Sequence, residues 1–64
     1  MDSNKLYQKR INLAIDYLTA HITEPISLEK LAGVSGFSSF YFHRIFTALT
    51  GETPADYVLR TRLE

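Results

Sequence analysis

Residues 28–51 read LEKLAGVSGFSSFYFHRIFTALTG, and this stretch decides the fold. It holds a short apolar-periodic segment, a break at Gly36, and a second amphipathic segment that a serine opens and a glycine closes. Ala32 and Gly36 lie four residues apart, which suits two helices that cross steeply, because alanine permits close approach and glycine permits a left-handed turn. The pattern is typical of a DNA-binding helix-turn-helix, although this spacing alone fits many helical hairpins.

Apolar periodicity and end signals predict four helices and no strand, so the expected fold class is all-α with a homeodomain-like arrangement. The helices are predicted over residues 4–22, 28–34, 39–50 and 54–64. Their predicted N-caps are Ser3, Ser27, Ser38 and Thr53, residue types that accept a hydrogen bond from the first turn. Pro25 stops the first helix, and Gly51 ends the third.

The third predicted helix has two distinct faces. Its apolar stripe consists of Phe42, Ile45, Phe46 and Leu49. The opposite face carries Ser39, Phe40, His43, Arg44 and Thr47. Because the stripe must face the core, we expect any binding function on the opposite face.

Two side chains on that face suit nucleic acid. Arg44 offers a planar fork that matches the O6 and N7 edge of guanine, or equally a phosphate. His43 can donate to a base acceptor or to a phosphate. The simpler interpretation is that both are ordinary solvated surface residues.

Phe40 is anomalous because a large apolar side chain on a polar face leaves hydrophobic surface in water. It could contact a thymine methyl group or the sugar wall of a DNA groove. Alternatively, it could fold back on Phe37 and Tyr41 as ordinary core. The sequence does not decide between the two.

The size of the chain allows one domain with a small core. A 64-residue chain buries only about 60% of its unfolded surface on folding. The chain has no cysteine, so disulfides and thiolate metal sites cannot add stability. Polar residues follow Met1, no apolar run reaches membrane-spanning length, and we expect a cytoplasmic protein without membrane contact.

The charge balance is unusual for a nucleic-acid binder. Seven Lys and Arg residues balance seven Asp and Glu residues, and residues 1–37 and 38–64 are each neutral. Attraction to phosphate must therefore come from local placement of cations. We expect weak nonspecific binding by this chain alone.

The run from Ile26 to Glu64 resembles the first helix-turn-helix and the start of the linker helix of bacterial AraC/XylS-type transcription regulators. The positions that carry the resemblance are Leu31, Ala32, Gly36, Phe37, Ser38, Arg44, Phe46, Gly51, Pro54, Tyr57, Arg60, Arg62 and Leu63. The match in one register is far more specific than the Ala32 to Gly36 spacing.

The resemblance implies that the third helix enters the major groove of double-stranded DNA. Phe40, His43 and Arg44 then fall where base-contacting side chains commonly lie. Thr47 falls at a frequent phosphate-contact position, and Ser39 on the same face is also assigned to the DNA backbone. Relatives often carry a basic residue at the position of Thr47, so this copy is expected to hold the backbone less strongly.

The resemblance also implies a second helix-turn-helix, which these 64 residues do not contain. We therefore expect residues 1–64 to be a single subdomain cut within the linker helix, residues 54–64. RNA polymerase is a further partner expected for the whole regulator. Exposed apolar surface on the linker helix favours self-association.

Two other function classes are less favoured. The acidic residues are scattered, His21 and His43 lie on different segments, and no phosphate-binding glycine loop or metal-ligand cluster occurs, so we expect no enzyme, cofactor or metal. The alternative function is a helical protein-interaction module that docks a partner through Phe40 and Tyr41. DNA binding should weaken steeply with salt, whereas an aromatic protein contact should not.

Overall fold

The computed structural model describes the backbone of residues 3–64 and the side chains of residues 4–64. Within that range the chain is helical and contains no strand. Its helices are α1 (Ser3–Ala20), α2 (Leu28–Ser35), α3 (Ser39–Thr50) and α4 (Pro54–Leu63). The predicted all-α fold with four helices is confirmed.

The helix boundaries agree closely with prediction except at the end of α1. That helix was expected to reach residue 22, but it ends at Ala20. The backbone N–H of Glu24 donates to the carbonyl oxygen of His21 at 2.9 Å, so the chain tightens into a turn before Pro25. The α2 helix is one residue longer than predicted, and α4 one shorter at its end.

Hydroxyl side chains start the last three helices as predicted. The side-chain oxygens of Ser27, Ser38 and Thr53 accept hydrogen bonds from backbone N–H groups three residues on, at 3.1, 3.2 and 3.2 Å. Each bond satisfies a donor that the helix itself leaves unpaired. The fourth predicted cap, Ser3, is instead the first residue of α1, and its side chain lies outside the described side chains.

The core is a single cluster contributed by α1, α2 and α3. Its fully buried apolar members are Ile11, Ala14, Leu18, Leu31, Ala32, Phe42 and Phe46. The members on α1 recur at spacings of three and four, so one stripe of α1 covers the helix-turn-helix. The stripe predicted on α3 is narrower than expected, because Ile45 is half-buried and Leu49 is 37% exposed.

The turn between α2 and α3 is a Schellman motif. Gly36 has a left-handed φ of 81°. Its N–H donates to the carbonyl oxygen of Gly33 at 3.2 Å, and the N–H of Phe37 donates to that of Ala32 at 3.0 Å. The buried Ser35 hydroxyl also donates to the Ala32 carbonyl, at 2.8 Å, so the turn is closed without an unsatisfied buried group.

The α4 helix packs on the core mainly through its first half. Pro54 is buried, and the Tyr57 ring lies edge-on to the Phe46 ring with centroids 5.3 Å apart. Farther along, Leu59 and Leu63 are 59% and 79% exposed. The second half of α4 therefore leaves apolar surface in solvent, as its sequence indicated.

Two glycine substitutions separate backbone strain from steric fit. Gly36→Ala should lower the free energy of unfolding by about 1–2 kcal/mol, because an L side chain disfavours the left-handed region. Space is not the cause, since an added Cβ would meet only the Arg10 guanidinium at 4.0 Å.

Gly33→Ala is the matched control. Gly33 lies within α2 and an added Cβ would touch nothing within 4 Å, so this change should raise the free energy of unfolding by about 0.5–1 kcal/mol. Urea denaturation measures both values. Equal effects of the two substitutions would contradict the assigned role of Gly36.

Candidate nucleic-acid interface

The exposed face of α3 is the candidate interface. Burial of Phe42 and Phe46 sets the rotation of the helix about its axis and turns the opposite face outward. The Phe40 side chain is 74% exposed, and His43 and Arg44 are exposed beside it. Ser39 and Thr47 on this face are half-buried.

Phe40 and Arg44 form a pair one helical turn apart. The Arg44 guanidinium carbon lies 6.0 Å from the centroid of the Phe40 ring, at the outer limit of a cation–π contact. The alternative in which Phe40 folds back as core is wrong, because its ring remains in solvent. Phe37 and Tyr41 instead pack edge-on against each other, at 5.4 Å between centroids.

Arg44 is the only Lys, Arg, Asp or Glu residue in α3, so this helix contains no acidic residue that could offset its charge. The ion pairs in residues 4–64 join Glu24 to His21 and join Arg60 to Glu52 and Glu64. Arg44 is in none of them. A neutral chain thus presents an unopposed guanidinium on the face that was predicted to bind DNA.

Thr47 has a local partner that limits its role. Its hydroxyl donates to the carbonyl oxygen of His43 at 2.8 Å, a common arrangement for threonine within a helix. The hydroxyl has a single proton, so it cannot donate to a phosphate while this bond persists. Binding of a phosphate oxygen by Thr47 therefore requires the hydroxyl to rotate.

His43 lies at the edge of the face rather than at its centre. It borders a groove of about 440 Å³ between the start of α2, α3 and α4, whose walls include Leu28, Val58 and Leu59. Phe40 and Arg44 therefore lie side by side on this face, and His43 lies on the side toward α4.

Tyr41 is 40% exposed, but its contacts make it less available than the sequence suggested. Its hydroxyl lies 3.1 Å from the hydroxyl of Tyr7, and its ring packs edge-on against Tyr7 and Phe37. The hydrogen bond with Tyr7 raises the pKa of Tyr41, with burial adding to the effect. Tyr41 is thus part of an aromatic cluster that ties α3 to α1.

The two arginines of α4 have structural partners that the sequence does not indicate. Arg60 donates to both carboxylate oxygens of Glu52, with Nη2 to Oε2 at 2.8 Å, and also pairs with Glu64. Arg62 donates to the carbonyl oxygens of Ile22 and Glu24. These partners are up to 40 residues away in sequence, and no local pattern indicates them.

The part of the chain that the structure describes holds neither a membrane-spanning helix nor a cluster of metal-ligating side chains. Each helix there is too short or too polar to cross a bilayer. No group of three or more His, Cys, Asp or Glu residues in that part could hold a metal ion.

The family model described as bacterial regulatory helix-turn-helix proteins, AraC family, matches residues 18–59. The chain belongs to this family. It is therefore a domain of the class that binds DNA in transcription regulation, and the predicted resemblance is confirmed.

Individual transcription regulators are also similar to this chain over most of its length. The chain is 40% identical over 57 residues to YbfP of Bacillus subtilis, named as an HTH-type transcriptional regulator, covering 89% of this chain and 19% of YbfP. It is 35% identical over 57 residues to the regulatory protein SoxS of Escherichia coli K12, covering 89% of this chain and 53% of SoxS.

The name of a third relative gives two activities. The chain is 30% identical over 53 residues to AdaA of Bacillus subtilis, a bifunctional transcriptional activator and DNA repair enzyme, covering 83% of this chain and 25% of AdaA. The chain thus spans about half the length of SoxS and a quarter or less of the other two. No solved structure gives a significant match.

The Glu52–Arg60 pair predicts a specific pH dependence of stability. The hydrogen bonds from Arg60 lower the pKa of Glu52, so the pair stabilises the fold at neutral pH. This contribution is lost as the pH falls from about 4 toward the lowered pKa. Glu52→Gln should therefore lower the thermal midpoint at pH 7 and have a much smaller effect at pH 3.

The control for this experiment is Asp16→Asn, an exposed position on α1. Its effect on the midpoint should be similar at the two pH values. Thermal denaturation followed by circular dichroism gives both comparisons. A Glu52→Gln effect that stays the same at pH 3 would show that the ion pair does not stabilise the fold.

Proposed function

We propose that this domain reads DNA sequence by inserting α3 into the major groove, with Phe40, His43 and Arg44 against the base edges. The observation that carries the proposal is the exposed pair of Phe40 and Arg44 on a helix whose other face is locked into the core. An α-helix fits the width of the major groove of B-DNA, where every base pair shows a distinct pattern.

Each side chain has a distinct chemical task. The Arg44 fork can donate two hydrogen bonds to O6 and N7 of guanine. The Phe40 ring offers apolar contact to a thymine methyl group. His43, at the edge toward α4, can donate to a base acceptor or to a phosphate oxygen.

We assign Ser39 and Thr47 to contacts with the DNA backbone. Both hydroxyls can bond phosphate oxygens, which positions the helix without reading sequence. Neither residue carries charge, and Thr47 must first leave the carbonyl of His43. Affinity for the backbone through this face is therefore expected to be low.

The second part of the proposal is a bipartite arrangement. This chain covers 53% of SoxS, a regulatory protein, which leaves room there for a second unit of similar size. We infer that residues 1–64 act as one of two DNA-binding units, joined through α4. In the whole cytoplasmic regulator, RNA polymerase is a further partner, and the exposed Leu59 and Leu63 favour self-association.

The alternative function, a protein-interaction module, has less exposed aromatic surface than the sequence suggested. It required both Phe40 and Tyr41, but Tyr41 is held by Tyr7 and Phe37. Phe40 alone remains as a largely exposed aromatic side chain on α3. An enzymatic role is not proposed for this domain, and the repair activity in the name of AdaA is a property of that protein.

Arg44→Ala tests the reading of bases. In a regulator that carries this chain with a second helix-turn-helix, the substitution should lower specific operator affinity by about 1–3 kcal/mol and relax the preference at one base pair. Fluorescence anisotropy with operator and random duplexes measures the difference.

Arg44→Lys is the matched control because it keeps the charge and removes the planar fork. It should lose nearly as much specificity as Arg44→Ala while retaining more affinity for random DNA. Equal losses on operator and random DNA for Arg44→Ala would make Arg44 a phosphate contact instead.

The isolated chain should bind a single half-site weakly, and its affinity should fall only modestly as the salt concentration rises. It has no net positive charge and lacks a paired unit, so affinity rests on few phosphate contacts. Anisotropy titrations at several salt concentrations measure this. Nanomolar selective binding by the chain alone would contradict the bipartite proposal, and salt-independent capture of a protein partner through Phe40 would favour the alternative.

A further inference from the structure

The last turn of α4 is bound to a distant part of the fold by one side chain. Nε of Arg62 donates to the carbonyl oxygen of Ile22 at 3.0 Å. Nη2 of Arg62 donates to the carbonyl oxygen of Glu24 at 2.7 Å. Both acceptors lie in the connection between α1 and α2, so one guanidinium links α4 to a segment 38 to 40 residues earlier in the chain.

These carbonyls are well suited to a cation. They follow the end of α1 at Ala20, where backbone oxygens are not used by the helix and carry partial negative charge. Pro25 follows directly and restricts the backbone of Glu24, which limits the motion of the acceptors. The planar fork of arginine can reach both oxygens at once, whereas a lysine ammonium binds as a point charge.

The other packing contacts of α4 with the core lie in its first half, at Pro54, Tyr57 and Val58. Tyr57 packs on Phe46 near the start of the helix and acts as a pivot. Arg60 pairs with Glu52 and Glu64, residues that flank α4, so these ion pairs do not relate α4 to α1.

We propose that Arg62 is a positioning residue that sets the angle at which α4 leaves the domain. The α4 helix is pivoted at Tyr57, and the two Arg62 bonds fix its far end against the connection between α1 and α2. Since α1 also packs on α3, the bonds define the direction of α4 relative to the DNA-reading helix. The functional consequence rests on the proposed bipartite arrangement: Arg62 determines which spacing between two DNA half-sites is accepted.

The angle can be measured on this chain without DNA. The sequence has no cysteine, so spin labels can be placed at Leu13→Cys on α1 and Leu63→Cys on α4, both exposed positions. With Arg62 present, double electron–electron resonance should give a narrow distance distribution. Arg62→Met should broaden it roughly twofold or more, because the last turn loses its tether. Arg62→Lys should give an intermediate width.

Arg60→Met is the matched control. It removes an arginine from the same helix but leaves the bonds to Ile22 and Glu24 in place, so the distribution should remain narrow. Circular dichroism of each variant reports whether α4 stays helical. An unchanged width in Arg62→Met would overturn the proposal, and so would loss of the helical signal of α4, since Arg62 would then hold the helix rather than its angle.

The effect of Arg62 on DNA binding is measured in a regulator in which this chain is followed by a second helix-turn-helix. Duplexes whose half-site spacing changes by one base pair should bind the unchanged regulator about tenfold less tightly. With Arg62→Met, the affinities across the spacing series should agree within about threefold. Affinity of the single domain for one half-site should not change.

Failure of the bipartite proposal and failure of the Arg62 proposal give different results. A flat spacing profile for the unchanged regulator contradicts the bipartite proposal, while the spin-label distances still decide the role of Arg62. A sharp profile that Arg62→Met leaves intact overturns the role of Arg62 in spacing and supports the bipartite arrangement. Loss of half-site affinity in Arg62→Met would place Arg62 in the DNA-binding surface itself and would also overturn the positioning role.

Discussion

Burial of two phenylalanine rings on α3 is the constraint on which the rest of the domain depends. Phe42 and Phe46 are completely buried and lie 5.4 Å apart between ring centroids. They occupy the space beneath α1 and α2, and Phe46 also receives the edge of Tyr57 from α4. Because the two rings lie on one face of a helix, burying them leaves α3 a single allowed rotation about its axis. The same burial that stabilises a small core therefore decides which side chains of α3 meet solvent.

Local signals made most of the fold predictable. The caps at Ser38 and Thr53 and the left-handed glycine at Gly36 act within a few residues, so the sequence alone places them correctly. The end of α1 was misplaced because a turn bond from Glu24 to His21, rather than periodicity, ends the helix. Boundaries of this kind depend on the competition between bonding patterns that share the same residues.

The helical face that carries the candidate residues was predictable, but the arrangement of the residues on that face was not. The helical period places Phe40 and Arg44 on one face, yet it cannot say whether an apolar ring there turns inward or outward. The structure resolves this, because the rings of Phe37 and Tyr41 pack against Tyr7 on α1 whereas Phe40 is largely exposed. The partners of Arg62 were beyond sequence reasoning for another reason, because carbonyl acceptors 38 and 40 residues away carry no side-chain signature. The base-contacting roles themselves remain predictions.

The way the chain uses its arginines bears on how such a domain finds its target. Arg60 and Arg62 are engaged within the protein, while Arg44 projects from α3 and the net charge is zero. Long-range attraction to the DNA polyanion, and with it one-dimensional sliding along the duplex, requires many cations that displace condensed counterions. The chain also exposes Lys5, Lys9 and Lys30 on α1 and α2, but acidic residues balance its cations, and a chain without net charge supports little of either. For this domain alone, with α3 reading bases as proposed, we therefore expect short, independent encounters from solution, with residence time determined by the match at the base edges rather than by the length of DNA scanned.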